Sequence, residues 1–131
     1  IGFVSPYLVL YEEFTTYENL SLFAEIRGVK FNKERVDYLL NKFLLFKRKD
    51  DLLKTYSSGM KQRVKFIFAL MHLPQLLILD EPTSNLDDEG KNSVYELVKE
   101  EGQNNIVLIA SNEKHDLELC SDIVYLEKFK Y

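Results

Sequence analysis

Residues 76–87, LLILDEPTSNLD, form an apolar stretch that ends in two adjacent carboxylates and a proline. If the apolar part is a strand of an open α/β sheet, Asp80 and Glu81 are delivered to its carboxyl end, the edge where such sheets bind ligands. A carboxylate there suits Mg2+, a hard cation that takes oxygen ligands and keeps several waters. A second carboxylate, leaving the strand on its other side, suits the polarisation of an attacking water. Taken alone, Asp-Glu-Pro equally describes an acidic strand-to-turn corner in which Pro82 only ends the strand. Upstream, residues 56–63 read YSSGMKQR. Ser57 and Ser58 are good N-caps, and Gly59 lets another backbone come close. Unpaired N–H groups and the positive end of a helix dipole then face outward together. That is an anion site or, by itself, a well-capped helix.

Elements that position these residues are legible in the pattern. Three continuous apolar runs, residues 76–79, 106–110 and 123–126, joined by residues 1–4, read as strands buried on both faces of a parallel sheet. Between them, residues 58–72 place Met60, Val64, Ile67 and Met71 on one helical stripe. A second helix is predicted over 88–101, stopped near Gly102. Residues 16–45 predict two helices broken around 28–32, the second carrying Val36, Leu39, Leu40 and Phe43. Strands alternating with helices of this length argue for βαβ units.

Composition bounds the rest. The 131 residues carry 17 Lys+Arg against 21 Asp+Glu, a net charge of −4, with 46% hydrophobic and 29% charged residues, an ordinary globular balance. Cys120 is the single cysteine, so no intrachain disulfide framework and no Cys/His zinc cluster is expected. The longest apolar stretch falls far short of the ~20 residues that span a bilayer, and no signal-peptide succession opens the sequence. A chain that neither crosses nor anchors in a membrane is therefore expected. It starts on Ile1, directly in an apolar run, which reads as a piece of a longer polypeptide or, alternatively, as a processed N-terminus. Residues 29–65 hold eleven Lys/Arg against four acids, a balance of +7 that leaves −11 for the remainder. Such a middle attracts phosphates or forms a solvated helical face.

In this order and spacing the two segments resemble the ATP-binding cassette (ABC) family, the ATPase domains of ABC transporters. YSSGM is similar to the signature loop, usually written L-S-G-G-Q. LLILDE resembles the Walker B strand with its catalytic glutamate, and SNLD, residues 84–87, resembles the D-loop. The opening IGFVSPYLVLYEEFTTYENL resembles the segment that runs through the Q-loop into the helical subdomain. The resemblance covers nearly the whole chain. It implies a partial P-loop NTPase fold of the α/β class, with a parallel sheet of about three to four strands flanked by helices plus a helical subdomain. Residues 1–75 would hold the Q-loop region, helical subdomain and signature helix, and residues 76–131 the Walker B, D-loop and switch half of the catalytic core.

In the family two ATP molecules are sandwiched between two domains, the signature loop of one facing the γ-phosphate held by the other. The resemblance therefore implies that Ser57, Ser58, Gly59 and Met60 contact ATP in trans. It also implies that Asp80 holds Mg2+ through water, Glu81 is the general base, and Asp87 helps couple the two sites. Asn112 stands where the family has its switch histidine and can hydrogen-bond a γ-phosphate, but carries no proton. The implied partners are a membrane subunit docking near the Q-loop and residues 8–45, and a second ATPase subunit, with no direct nucleic acid contact. The implied location is cytoplasmic, on the inner face of the cell membrane.

Several departures shape the expectation. The phosphate-cradling loop G-x-x-x-x-G-K-[ST] is absent from these residues, since the five glycines, at 2, 28, 59, 90 and 102, include no pair five apart. Without that loop this stretch alone is expected to bind ATP poorly or not at all. Pro6 occupies the Q-loop glutamine position and cannot ligate Mg2+; Ser58 and Met60 replace a glycine and a glutamine of the signature. His115, three residues after Asn112, reads as a surface histidine. In the family the P-loop strand lies between the switch strand and the next, so its absence opens a gap. That strand would bury side chains worth on the order of 10 kcal/mol. Self-association through open sheet edges, or movement of the last strand onto the switch strand, is expected to compensate. The leading reading is the ATP-hydrolysing subunit of an ABC transporter. A non-hydrolysing regulatory subunit is the alternative, favoured by Pro6 and Asn112 and opposed by Glu81. A nucleic-acid-associated ATPase lacks the coiled-coil insertions usual in such relatives.

Overall fold

A computed structural model describes residues 1–129 of the chain. Its elements run β1 (Gly2–Val4), α1 (Thr16–Ile26), α2 (Lys33–Lys42), α3 (Ser58–Leu70), β2 (Leu76–Asp80), α4 (Asp88–Glu101), β3 (Ile106–Ala110) and the single turn α5 (Lys114–Leu117). Short 3-10 turns lie at Phe46–Arg48, Leu53–Thr55 and Leu126–Phe129.

Local signals set the helix ends. Thr15 and Glu18 cap α1 reciprocally, the Thr15 hydroxyl accepting from the Glu18 N–H at 3.1 Å and the Glu18 carboxylate from the Thr15 N–H at 2.7 Å. Gly28, at φ +66°, ends that helix in the left-handed conformation glycine tolerates. Asn32 caps α2 and Asp87 caps α4, each accepting from a backbone N–H three residues on.

The three strands form one parallel sheet in the order β1-β2-β3. Register pairs Val4 with Leu79 and Leu79 with Ile109, and places Phe3, Ile78 and Leu108 on the opposite face. α3 lies against β1 and α4 against β3. The face carrying Val4, Leu77 and Leu79 is buried, whereas Phe3, Ile106 and Leu108 stay exposed. The apolar runs thus read as strands, but the expectation of burial on both faces is corrected: among the described residues no helical layer covers the second face. Residues 123–126 are also corrected. They form no strand; Ile123, Val124, Tyr125 and Leu126 are exposed, and Leu126 opens a 3-10 turn. The last segment therefore does not move onto β3, whose outer edge pairs with no strand among the described residues. With nothing opposite to supply hydrogen bonds, β propensity by itself makes no strand.

α3 is more deeply set than one apolar stripe suggests. Val64, Ile67 and Met71 are buried as expected, but so are Gln62, Phe66, Phe68, Ala69 and Leu70. The helix is wedged between β1 and the pair α1 and α2, so it buries two faces. Phe66 stacks on Phe43 of the α2 end at 5.6 Å, and Phe68 meets Phe23 of α1 edge-on at 4.5 Å.

The uneven charge finds its explanation in this packing. Arg35 pairs with Glu101, Lys42 with Glu100, Lys54 with Glu13, Lys61 with Glu12 and Arg63 with Asp87. Each joins the basic middle to the acidic remainder, so much of the +7 run is met within the chain rather than presented as a phosphate-seeking field.

His72 follows α3, and its Nε2 lies 2.9 Å from the Ile1 carbonyl oxygen, while Nδ1 is buried without a partner. Burial first, and the nearby Arg27 guanidinium, hold its pKa below the ordinary value, against the opposing pull of the Ile1 carbonyl. The unfolded chain therefore takes up this proton more readily. The stability contributed by neutral His72 is complete above about pH 6.5 and is lost as pH falls through the depressed value. Urea midpoints between about pH 7 and about pH 5 are expected to fall less steeply for His72→Asn than for the parent chain; parallel slopes would exclude His72 as the source.

Candidate functional site

The carboxyl end of β2 delivers Asp80 and Glu81 as the sequence predicts. Asp80 is half-buried, and its Oδ2 accepts from the hydroxyl of Ser5 at 3.4 Å. Ser5, buried just past β1, also accepts from the Tyr7 N–H at 3.3 Å. β1 thus places a second hard oxygen beside the Asp80 carboxylate. Glu81 departs from strand geometry with φ +46°, a left-handed conformation costing a non-glycine residue about 1–2 kcal/mol. Its N–H nevertheless donates to the Ala110 carbonyl at 2.8 Å. Strain at a strand end, secured by a hydrogen bond from the neighbouring strand, turns the Glu81 side chain toward the segment that leaves β3.

That segment brings Asn112 to it: the Asn112 amide donates to Glu81 Oε1 at 3.3 Å. The structure therefore unites two residues 31 positions apart. The Ser111 hydroxyl lies 3.4 Å from Glu81 Oε2 but only 2.7 Å from Asp116 Oδ2. A hydroxyl has one proton to give, and the shorter bond takes it. His115 is a surface residue, 3.3 Å from Glu118.

The signature segment forms the second part. Ser57 is the N-cap of α3, its hydroxyl accepting from the Met60 N–H at 3.2 Å. Buried Tyr56 fixes the approach: its hydroxyl donates to the Arg48 carbonyl and accepts from the Thr16 hydroxyl at 2.8 Å. Burial raises the pKa of this phenol above its ordinary value. Ser58 is exposed in the first turn. Gly59 sits against the D-loop, where an added Cβ would come within 3.1 Å of the Asn85 carbonyl oxygen. Met60 turns away, its Sδ 3.7 Å from an Arg48 nitrogen. Gln62 reaches the Pro82 carbonyl at 3.4 Å, tying α3 to the loop after Glu81. Asp87 accepts from the Gly90 N–H at 2.8 Å as the N-cap of α4 and lies 3.7 Å from Arg63. These contacts give Asp87 a structural task that the D-loop resemblance left out.

The structure thus groups Asp80, Glu81 and Asn112 at the sheet edge, and Ser57, Ser58 and Gly59 at a helix start, with no hydrogen bond or ion pair between the groups among the described residues. Beside the second group a cleft of about 360 Å3 runs between residues 6–12 and α3, lined by Pro6, Leu10, Ser58, Lys61, Lys65 and Asn85 among others. The Lys65 ammonium donates to the Pro6 carbonyl at 2.8 Å, and burial lowers its pKa. Ser5, Ser111, Thr83 and Asp116 escaped sequence reasoning. Hydroxyl residues next to strand ends were the available signal; nothing in the sequence marks Asp116 as buried.

Among the described residues no three His, Cys, Asp or Glu side chains are grouped so that they could hold a metal ion; Mg2+ is commonly held by one or two carboxylates, waters and substrate phosphates. Asp80 with the Ser5 hydroxyl offers the hard oxygen donors such an ion takes.

The chain is thus an α/β domain with a three-stranded parallel sheet, paired carboxylates at its carboxyl edge and a capped, glycine-containing helix start. The ABC transporter family profile matches residues 1–84. Linearmycin resistance ATP-binding protein LnrL of Bacillus subtilis (strain 168) is 34% identical over 125 residues, covering 93% of this chain and 40% of that protein. Lipoprotein-releasing system ATP-binding protein LolD 2 of Chlorobaculum tepidum is 39% identical over 120 residues, covering 87% of this chain and 48% of that protein. A solved structure described as an ATP binding subunit of an ABC transporter superposes with a TM-score of 0.74 at 28% identity, over 89% of this chain and 50% of that one. The chain belongs to the ABC transporter family. It spans less than half the length of these two relatives.

Proposed function

We propose that this chain is the signature and Walker B half of an ATP-hydrolysing subunit that drives an ABC transporter. The observation that carries the reading is the convergence of Glu81 and Asn112, at 3.3 Å, beside Asp80 at the end of β2. Asp80, with Ser5, would hold Mg2+, which when bound neutralises phosphate charge. Glu81 would take the proton of the attacking water, oriented by the Asn112 amide, which would also donate to the γ-phosphate. Ser57, Ser58 and the backbone N–H at Gly59 would meet the γ-phosphate of ATP held by a second subunit, with the Met60 N–H holding the Ser57 hydroxyl in place, and Asp87, through α4, would couple the two sites. Functionally, residues 1–75 would carry the Q-loop region, helical subdomain and signature helix, and residues 76–131 the catalytic half. The P-loop and its lysine, absent from these residues, would be supplied from outside them. Without that part of the polypeptide, copies of this chain would associate through the free edge of β3.

The exposed side chains of Tyr7, Val9, Tyr11 and Phe14 along residues 6–14 support a membrane subunit docking beside the cleft. No helix of the described residues is long and apolar enough to cross a membrane, and the subunit would work from the cytoplasmic face. The charge pairing described above speaks against a nucleic acid partner.

Ser58→Glu tests the trans contact. A carboxylate in the first turn of α3 favours the helix dipole, so folding is expected to be unharmed, while its charge opposes an incoming phosphate. In a polypeptide joining this chain to its P-loop half, ATP-dependent dimerisation and turnover are expected to fall at least tenfold with ATP binding to the single subunit intact. Unchanged dimerisation would refute the contact.

A further inference from the structure

Asp116 belongs to neither group of site residues, yet its side chain is fully buried and two hydroxyl groups converge on it. The Thr83 hydroxyl lies 3.0 Å from Oδ1 and 3.1 Å from Oδ2, and the Ser111 hydroxyl 2.7 Å from Oδ2. No lysine, arginine or histidine forms an ion pair with it among the described residues. The Tyr95 phenol stands close by, its pKa raised by burial and then by the charge of Asp116. Thr83 lies two residues after Glu81, in the turn closed by the Ser84 N–H on the Glu81 carbonyl at 3.2 Å. Ser111 lies between Ala110, which accepts from the Glu81 N–H, and Asn112, which donates to the Glu81 carboxylate. One buried carboxylate thus grips both loops that carry the Glu81–Asn112 pair.

We infer that Asp116 is a positioning residue for this pair: by capturing the single protons of Thr83 and Ser111 it locks the turn after β2 to the turn after β3, leaving Asn112 as the donor that aims Glu81. This rests on the proposed role of Glu81. Asparagine at 116 would replace one acceptor oxygen by an amide donor that neither hydroxyl proton can satisfy. Ser111 is then free to turn its proton to Glu81, and the two loops lose their common anchor.

The test uses the polypeptide that joins this chain to its P-loop half, with kcat normalised to bound ATP so that loss of folded protein does not count. Asp116→Asn is expected to lower kcat roughly 10- to 100-fold with KM for ATP within about twofold, the mark of misplacement rather than lost binding. Thr83→Val, which keeps the shape and removes the hydroxyl, is expected to act in the same direction. Combined with Asp116→Asn it should cost less than the product of the two single effects. Should Asp116→Asn fail to fold, Thr83→Val and Ser111→Ala carry the test, and wild-type kcat in both overturns the inference. Glu81→Gln runs alongside: if it leaves turnover intact, the reading of Glu81 fails; if it abolishes turnover while kcat of Asp116→Asn is unchanged, the role of Asp116 alone fails.

Discussion

Glu81→Gln is expected to lower ATP turnover about 10²- to 10⁴-fold, the range a general base contributes, in a polypeptide joining this chain to its P-loop half. The substitution is nearly isosteric. The left-handed backbone at φ +46° and the hydrogen bond from the Glu81 N–H to Ala110 at 2.8 Å belong to the main chain and are retained. What is lost is the ability of the side chain to accept a proton from water. Nucleotide affinity is expected to hold or rise, since a repelling negative charge leaves the phosphate site. Turnover measured at saturating ATP, together with the ATP dissociation constant, decides the matter. A rate equal to that of the parent would favour the non-hydrolysing alternative, in which Pro6 and Asn112 are marks of lost catalysis and the fold serves a regulatory interaction.

Phe66→Ala is expected to destabilise the fold by about 3–5 kcal/mol, a large part of the 5–15 kcal/mol net stability typical of a domain. Phe66 is fully buried and stacks on Phe43, which is equally buried, with ring centroids 5.6 Å apart. Truncation removes apolar surface and leaves a void that rigid neighbours on two sides cannot fill, because α3 is wedged between β1 and the pair α1 and α2. Since α3 also sets Gly59 against Asn85 and Gln62 on the Pro82 carbonyl, the same change should loosen the signature segment. The denaturant midpoint of the variant, compared with that of Tyr7→Ala, measures it. Tyr7 is 87% exposed, and its loss should stay within about 0.5 kcal/mol of zero. Equal midpoints for the two variants would mean that α3 is not the packing centre of the fold.

Local chemistry made much of this molecule legible in advance. The α4 range is the predicted one, 88–101, because Asp87 caps its start and Gly102 follows its end. The break between α1 and α2 falls at Gly28 through Asn32, where one residue supplies the left-handed turn and the other the next cap. The apolar run 76–79 announced the strand that carries Asp80 and Glu81 at its end, and that run and the YSSGM segment carried the resemblance to the family.

Other features were decided only by what packs against what. Residues 123–126 have the composition of a strand, but backbone groups pair only with a neighbour, and among the described residues no strand pairs with them. Continuous apolar residues in β3 could not reveal that only one face is covered, because that depends on layers contributed by distant segments. Asp116 looks in the sequence like any surface acid of a short helix. It is the fold that excludes water from it and sets the hydroxyls of Thr83 and Ser111, 33 and 5 positions away, on its oxygens. Periodicity, capping and turn chemistry act over a few residues and so can be read from the sequence. Burial and the meeting of remote polar groups are set by long-range packing, and only the tertiary structure decides them.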